Sequence, residues 1–226
     1  MTDQPSRPVR VIIADDEPLV RAGIRAILDS DAGIEIVGEA SDGHEAVELV
    51  RATHPDVAVL DIRMPRMSGI EATSELRELG AHTAVVILTT FGNDDNIAQA
   101  IGAGADGFLI KASAPRDLIA GVITVAGGGS ALSPHVAKLL VSKLRESNSG
   151  GSADALGRVD ALTERERSVL ALLGRGLSNA EIATDLWISE ATVKGHVSSI
   201  LQRLGANNRV QAAIIAYEAG MVPARD

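Results

Sequence analysis

The feature that most constrains this chain is an alternation. Along its first part, RVIIADD, IEIVGEA, VAVLDI, TAVVILTT and GFLIK take turns with PLVRAGIRAIL, HEAVELVRATH, GIEATSELREL, DDNIAQAIGAGA and APRDLIAGVITVA. The first set are short β-rich apolar runs, and the second carry apolar residues at helical spacing. Strands that read as continuous apolar runs are buried on both faces, and strands each followed by a helix through short connections pair in parallel. Residues 9–126 are therefore expected to form a doubly wound α/β domain around a five-stranded parallel sheet.

The alternation stops at about residue 127. GGGSALSP, a short amphipathic candidate helix (VAKLLVSKL, residues 136–144) and ESNSGGSADALGR follow, and this density of Ser and Gly reads as a linker over residues 127–157. From residue 158 to 226 strand signals vanish and helix starts succeed one another, while residues 1–8 read as a tail. The chain has no cysteine, which removes disulfides and thiolate metal sites. Its start lacks the apolar core of a signal peptide and no apolar run reaches membrane-spanning length, so the expectation is a cytoplasmic protein without a membrane partner. The net charge of −9 argues at first against nucleic acid as a partner. The charge is uneven, however: 13 of the 21 basic and 22 of the 30 acidic residues lie at or before Asp154, leaving 8 of each beyond it. A neutral second part can bind DNA if its cations share one face.

In open parallel sheets the functional crevice lies at the carboxyl ends of the strands. Asp15 and Asp16 end the first strand, Asp61 the third, Thr89 and Thr90 the fourth and Lys111 the fifth. A lone acid at a strand end is as readily a capping residue. Functional groups at four strand ends point instead to a site in which clustered carboxylates are balanced by the lysine and a hard divalent cation, Mg²⁺. A carboxylate in that setting is a competent nucleophile toward phosphorus. The glycines of GAGADG satisfy G-x-G-x-x-G but close a helix and precede a strand, the reverse of a dinucleotide loop.

The motifs IIADDEP, VLDIRMPRMSGIEA, ILTT and the lysine of FLIK resemble the receiver domain of bacterial two-component response regulators, which has a flavodoxin-like sheet. The resemblance implies that Asp61 accepts the phosphoryl group from a sensor histidine kinase. It makes Asp15, Asp16, Asp61 and the backbone of Arg63 the Mg²⁺ ligands, Thr89 the hydroxyl that turns toward the phosphate and Lys111 its counterion. Phe108 is implied as an aromatic switch moving inward with Thr89. Where many relatives have a proline after the lysine, this chain has Ala112. Arg63 and Phe91 would flank the approach of hydrolytic water, so loss of phosphate is expected to be slow.

In the last part, Thr163 with Glu166 and Ser178 with Glu181 are capping boxes, and Ser189 is a third N-cap. Leu170, Leu173, Ile182, Leu186, Val193, Val197, Ile200, Leu201 and Leu204 give the helices inward stripes. The short connection before Ser189 suits a small all-α helix-turn-helix domain. A structural or protein-binding bundle would share this pattern. L-T-x-R-E, G-L-S-N-x-E-I-A and S-x-x-T-V-K-x-H-V, within residues 160–217, resemble the LuxR-type helix-turn-helix of the NarL/FixJ response regulators. That resemblance directs Lys194, Gly195 and Ser198 toward base edges of double-stranded DNA, and Thr192, His196 and Ser199 toward phosphates. It also makes Val210, Ile214 and Tyr217 a dimer face, although these side chains would serve equally to complete the core. Trp187, the only tryptophan, lies in the turn and is expected to pack, with a backbone contact as the alternative.

The reading is a transcription factor that becomes a homodimer on phosphorylation. One rival is a Mg²⁺-dependent phosphotransferase or phosphatase with an aspartyl-phosphate intermediate, disfavoured because Arg63 stands where its second acid would be expected. The other is a regulator that binds DNA without phosphate control.

Overall fold

The computed structural model describes residues 7–89, 94–112, 114–132 and 152–222. Its first unit runs β1 (Val9–Ala14), α1 (Pro18–Leu28), β2 (Ile34–Ala40), α2 (Gly43–Thr53), β3 (Val57–Asp61), α3 (Gly69–Glu78), β4 (Ala84–Thr89), α4 (Asp94–Ala103), β5 (Gly107–Ile110), α5 (Pro115–Ala126) and β6 (Ala131–Leu132). All strand pairs are parallel, in the order β2-β1-β3-β4-β5-β6.

The period of two along each strand sorts its side chains to the two faces. Val11, Ile13, Val57 and Val59 meet Ile24, Leu28, Leu118 and Val122 of α1 and α5. Ile12, Ala14, Ala58 and Leu60 meet Val47, Leu76 and Ile97 of α2, α3 and α4. The helices start where local chemistry favours it: Pro18 and Pro115 stand at the first turns of α1 and α5, Asp42 caps α2, and Ser68 with Glu71 forms a capping box on α3. The strand order reverses between the parallel neighbours β1 and β3, and the crevice above their carboxyl ends is where Asp15 and Asp61 emerge.

Two elements differ from the sequence reading. The sheet has six strands, because Ala131–Leu132 pairs with Gly107 and Phe108 inside the segment read as linker. Two residues after a run of glycines give no periodicity to detect. Helix α6 (Ser152–Asp160) also begins inside that segment, and Ala155 and Val159, one turn apart, bury in the core of the second unit. The candidate helix at 136–144 lies outside the described residues.

The second unit continues with α7 (Glu164–Gly174), α8 (Asn179–Leu186), α9 (Glu190–Leu204) and α10 (Arg209–Glu218). Both expected capping boxes form, at Thr163–Glu166 and Ser178–Glu181, and the Ser189 hydroxyl accepts from Thr192 N–H. Val169, Leu170, Leu173, Ile182, Val193, Ile200 and Leu204 make the core. No helix among the described residues is long and apolar enough to cross a membrane.

Candidate functional sites

The end of β3 is shaped by a close approach. Gly69 N–H donates to Ile62 O at 3.1 Å, and a Cβ at Gly69 would lie 2.1 Å from Asp61 O. Only glycine lets α3 start against the strand end, which fixes the backbone that carries Asp61. Asp61 is 7% exposed and Asp15 is fully buried, while Asp16 is exposed. Lys111 Nζ lies 2.6 Å from Asp15 Oδ2 and 2.9 Å from Asp61 Oδ1, and Arg63 N–H donates to Asp61 Oδ2 at 3.2 Å. Carboxylate oxygens of Asp15, Asp16 and Asp61 all lie within 4.8 Å of one another.

Burial pushes the Asp61 carboxyl above the usual carboxylate range, against the pull of Lys111, and the Asp15 charge adds to the rise. Burial works against the Lys111 ammonium, but its bonds to Asp15 and Asp61 outweigh that and hold it above an ordinary lysine. One lysine against three carboxylates leaves the cluster anionic, so the donor set fits a hard divalent cation bound through oxygen. Beside it opens a groove of about 550 Å³ lined by Asp16, Arg63, Met64, Ser68, Asn96 and Gln99.

Thr89 is buried at the end of β4, next to Asp61 in the strand order. Phe108 is fully buried among Ile97, Ile101 and Ala105 on the α4 side of the sheet. It occupies an inward position in this structure. Thr90 and Phe91 lie outside the described residues.

On α9 the apolar stripe turns in, leaving Thr192, Lys194, Gly195 and Ser198 exposed and His196 half-buried. Nothing lies within 4 Å of the space a Gly195 side chain would fill. Ser199 differs from expectation: its hydroxyl donates to Glu166 Oε1 at 2.6 Å, so its proton serves the fold and is not offered to a phosphate. Trp187 also differs, being 93% exposed. Its backbone is left-handed (φ 56°, ψ 45°) as it closes α8, and its neighbours Leu186 and Ile188 take the inward positions.

The expected dimer face is divided. Val210 is 5% exposed and joins the cluster of the α/β unit, Ile214 packs against that cluster, and Tyr217 is 38% exposed. Sequence reasoning missed the polar residues beside it. Asn208 Nδ2 donates to Ile101 O (3.0 Å) and Ala105 O (2.8 Å), Asn207 Nδ2 to Gly102 O (3.0 Å), and Gln211 Nε2 to Ile101 O (3.0 Å). These amides bond to carbonyls at and just beyond the end of α4, adding to the Gly104 N–H that Ile101 O already accepts. Burial pushes the adjacent Arg209 guanidinium down to about 10, opposed by Asp106 and Glu181. The NNRVQ run was the available signal, although nothing in it names the partner.

The Ser199 bond gives a pH prediction. Ser199, Thr163 N–H and Arg203 hold the Glu166 carboxyl at about 2, below its ordinary 4.5. A depressed folded pKa contributes stability that is present above 4.5 and lost as pH falls toward 2. Acid unfolding followed by circular dichroism should show the helical unit weakening across that window, and Glu166→Gln should remove that part of the pH dependence. An unchanged acid profile in the variant would contradict the assignment.

Two families match. Residues 11–123 match the response regulator receiver domain, and residues 160–216 match the luxR family of bacterial regulatory proteins. The nitrate/nitrite response regulator protein NarL of Escherichia coli K12 is 34% identical over 211 residues, 93% of this chain and 96% of that one. The DNA-binding transcriptional activator DevR/DosR of Mycobacterium tuberculosis is 39% identical over 210 residues, 93% of this chain and 94% of that one. Among solved structures, the response regulator ChrA of a heme-sensing two-component system covers 96% of this chain and 100% of its own, with 38% identity and a TM-score of 0.53. A structure of RcsB dimers bound to DNA covers 93% of this chain and 98% of its own, with 25% identity and a TM-score of 0.54.

Proposed function

The chain belongs to the response regulators that join a receiver domain to a LuxR-type DNA-binding domain, and from that premise we propose that phosphorylation of Asp61 by a sensor histidine kinase controls its dimerisation and its binding to double-stranded DNA. The observation that carries the reading is the Asp61 carboxylate, fixed at the end of β3 by Lys111 and Arg63 N–H beside two further acids.

In the reaction, an Asp61 oxygen attacks phosphorus, the bond to the donor's leaving group breaks, and the Asp61 negative charge passes into the acyl phosphate. Lys111 stays near the new phosphoryl oxygens as counterion, and Thr89 supplies a hydroxyl from the neighbouring strand. Asp15, Asp16, Asp61 and the Arg63 carbonyl would hold Mg²⁺, which offsets charge on the phosphoryl group. Phe108 stays in the core, and Arg63 stands at the groove where water enters.

On the DNA side, Thr192, Lys194, Gly195 and Ser198 form the reading face, with His196 at its edge. That face is exposed in the described structure. The face proposed for dimerisation is not: Val210 and Ile214 lie against the receiver, tied by Asn207, Asn208 and Gln211 to the end of α4. A dimer through α10 requires these contacts to break. Sedimentation of the protein before and after treatment with acetyl phosphate and Mg²⁺ tests this. A shift from monomer to dimer in wild type, absent in Asp61→Asn, is expected. A wild type that is fully labelled and still monomeric would contradict it.

A further inference from the structure

We propose that Trp187 is a DNA-contacting residue, its indole lying against the sugar-phosphate backbone beside the groove that α9 reads, with Nε1–H donating to a phosphate oxygen; this rests on DNA binding by the LuxR-type domain. Two features of the fold meet at this residue. An aromatic side chain occupies a left-handed backbone position (φ 56°), where sterics disfavour any residue with a Cβ and favour glycine or asparagine. The same side chain, which offers roughly 150–250 Å² of surface to bury, is 93% exposed. The left-handed turn closes α8 and lets the flanking Leu186 and Ile188 pack inward, while the indole itself serves no core contact. A strained backbone that presents a large unpartnered side chain is the pattern expected of a contact residue.

The backbone of the turn that carries the indole is fixed before any partner arrives. Ile188 N–H donates to Ala183 O at 3.0 Å, Arg165 Nη2 donates to Leu186 O at 2.9 Å, and the Ser189 hydroxyl accepts from Thr192 N–H at 3.1 Å. Little backbone ordering is left for binding to supply, which favours affinity. The occupant follows from continuity: Trp187 stands two residues before the N-cap of α9, at the end of the helix that exposes Thr192 and Lys194. An indole suits this edge because it combines an apolar ring for deoxyribose with a neutral donor for phosphate. The exposed carboxylates of Asp185 and Glu190 flank it, so the turn offers no net positive charge. The contact therefore fixes the position of the strand without releasing counterions, and its loss leaves the salt slope unchanged.

Because Trp187 is the only tryptophan, its emission reports this one side chain. The full-length protein, treated with acetyl phosphate and Mg²⁺, is titrated with a fluorescein-labelled duplex selected from genomic fragments, and DNA anisotropy is read beside tryptophan emission and its quenching by iodide. We expect the emission to change and iodide access to fall with the same midpoint as the anisotropy. Trp187→Ala, whose fold is checked by circular dichroism, should bind about tenfold more weakly, the scale of one lost contact, with an unchanged salt slope. If anisotropy rises while emission and iodide access stay constant and Trp187→Ala binds like wild type, the residue faces a protein or solvent and the proposal falls. If the wild type shows no anisotropy change, DNA binding itself falls, and the proposal with it.

Discussion

Asp61→Asn is expected to take up no label from radiolabelled acetyl phosphate in Mg²⁺, where wild type reaches stoichiometric incorporation. An amide is a poor nucleophile toward phosphorus, whereas the wild-type carboxylate is held with one oxygen on Lys111 and the other on Arg63 N–H. The change keeps the side chain's shape, and its oxygen still accepts from Arg63. Lys111 retains Asp15 at 2.6 Å, so no buried charge is stranded by the substitution. Removing one of three neighbouring carboxylates also relieves repulsion. The variant should therefore be at least as stable as wild type in thermal melts, which separates lost chemistry from lost folding. Labelling of the variant at the wild-type level would place the phosphoryl group on another residue.

The second large effect is expected at Lys194. It is exposed on α9 two residues before the half-buried His196, and the gap at Gly195 leaves it the longest side chain on the reading face. If it meets a phosphate, Lys194→Ala weakens binding to all duplexes alike and lowers the slope of log affinity against log salt by about 1. If it meets a guanine, the slope stays near wild type and discrimination at one base pair falls by roughly 1 to 3 kcal/mol. Fluorescence anisotropy across a salt series, on the selected duplex and on single-base variants, separates the two. Equal affinity and equal slope on every duplex would remove Lys194 from the interface.

What the sequence disclosed and what it withheld follow from the range of the interactions involved. Asp61 and Lys111 were legible because a strand buried on both faces cannot hold a charge before its end, so VAVLD and FLIK locate both groups by themselves. The helix starts of the second unit were legible for the same local reason: Thr163, Ser178 and Ser189 act within three residues of themselves. Trp187 was misread because apolar spacing says nothing of the left-handed backbone that turns one residue of L-W-I outward. The Ser199 bond spans 33 residues and the Asn208 bonds more than 100, distances over which no periodicity carries information. Strand β6 and helix α6 escaped because the first is two residues long after a run of glycines and a Ser/Gly run precedes the second. The elements that position the chemistry were thus readable, and those that join one unit to the other were not.

The central claim is that phosphate on Asp61 controls DNA binding by the second domain. The most direct test is the affinity of full-length wild type and Asp61→Asn for one selected duplex, measured side by side at one salt concentration, with and without acetyl phosphate and Mg²⁺. Phosphorylated wild type should bind at least about tenfold more tightly, a coupling of about 1.4 kcal/mol, while Asp61→Asn stays at the level of the untreated protein. Wild type that is stoichiometrically labelled yet binds the duplex with unchanged affinity would contradict the account.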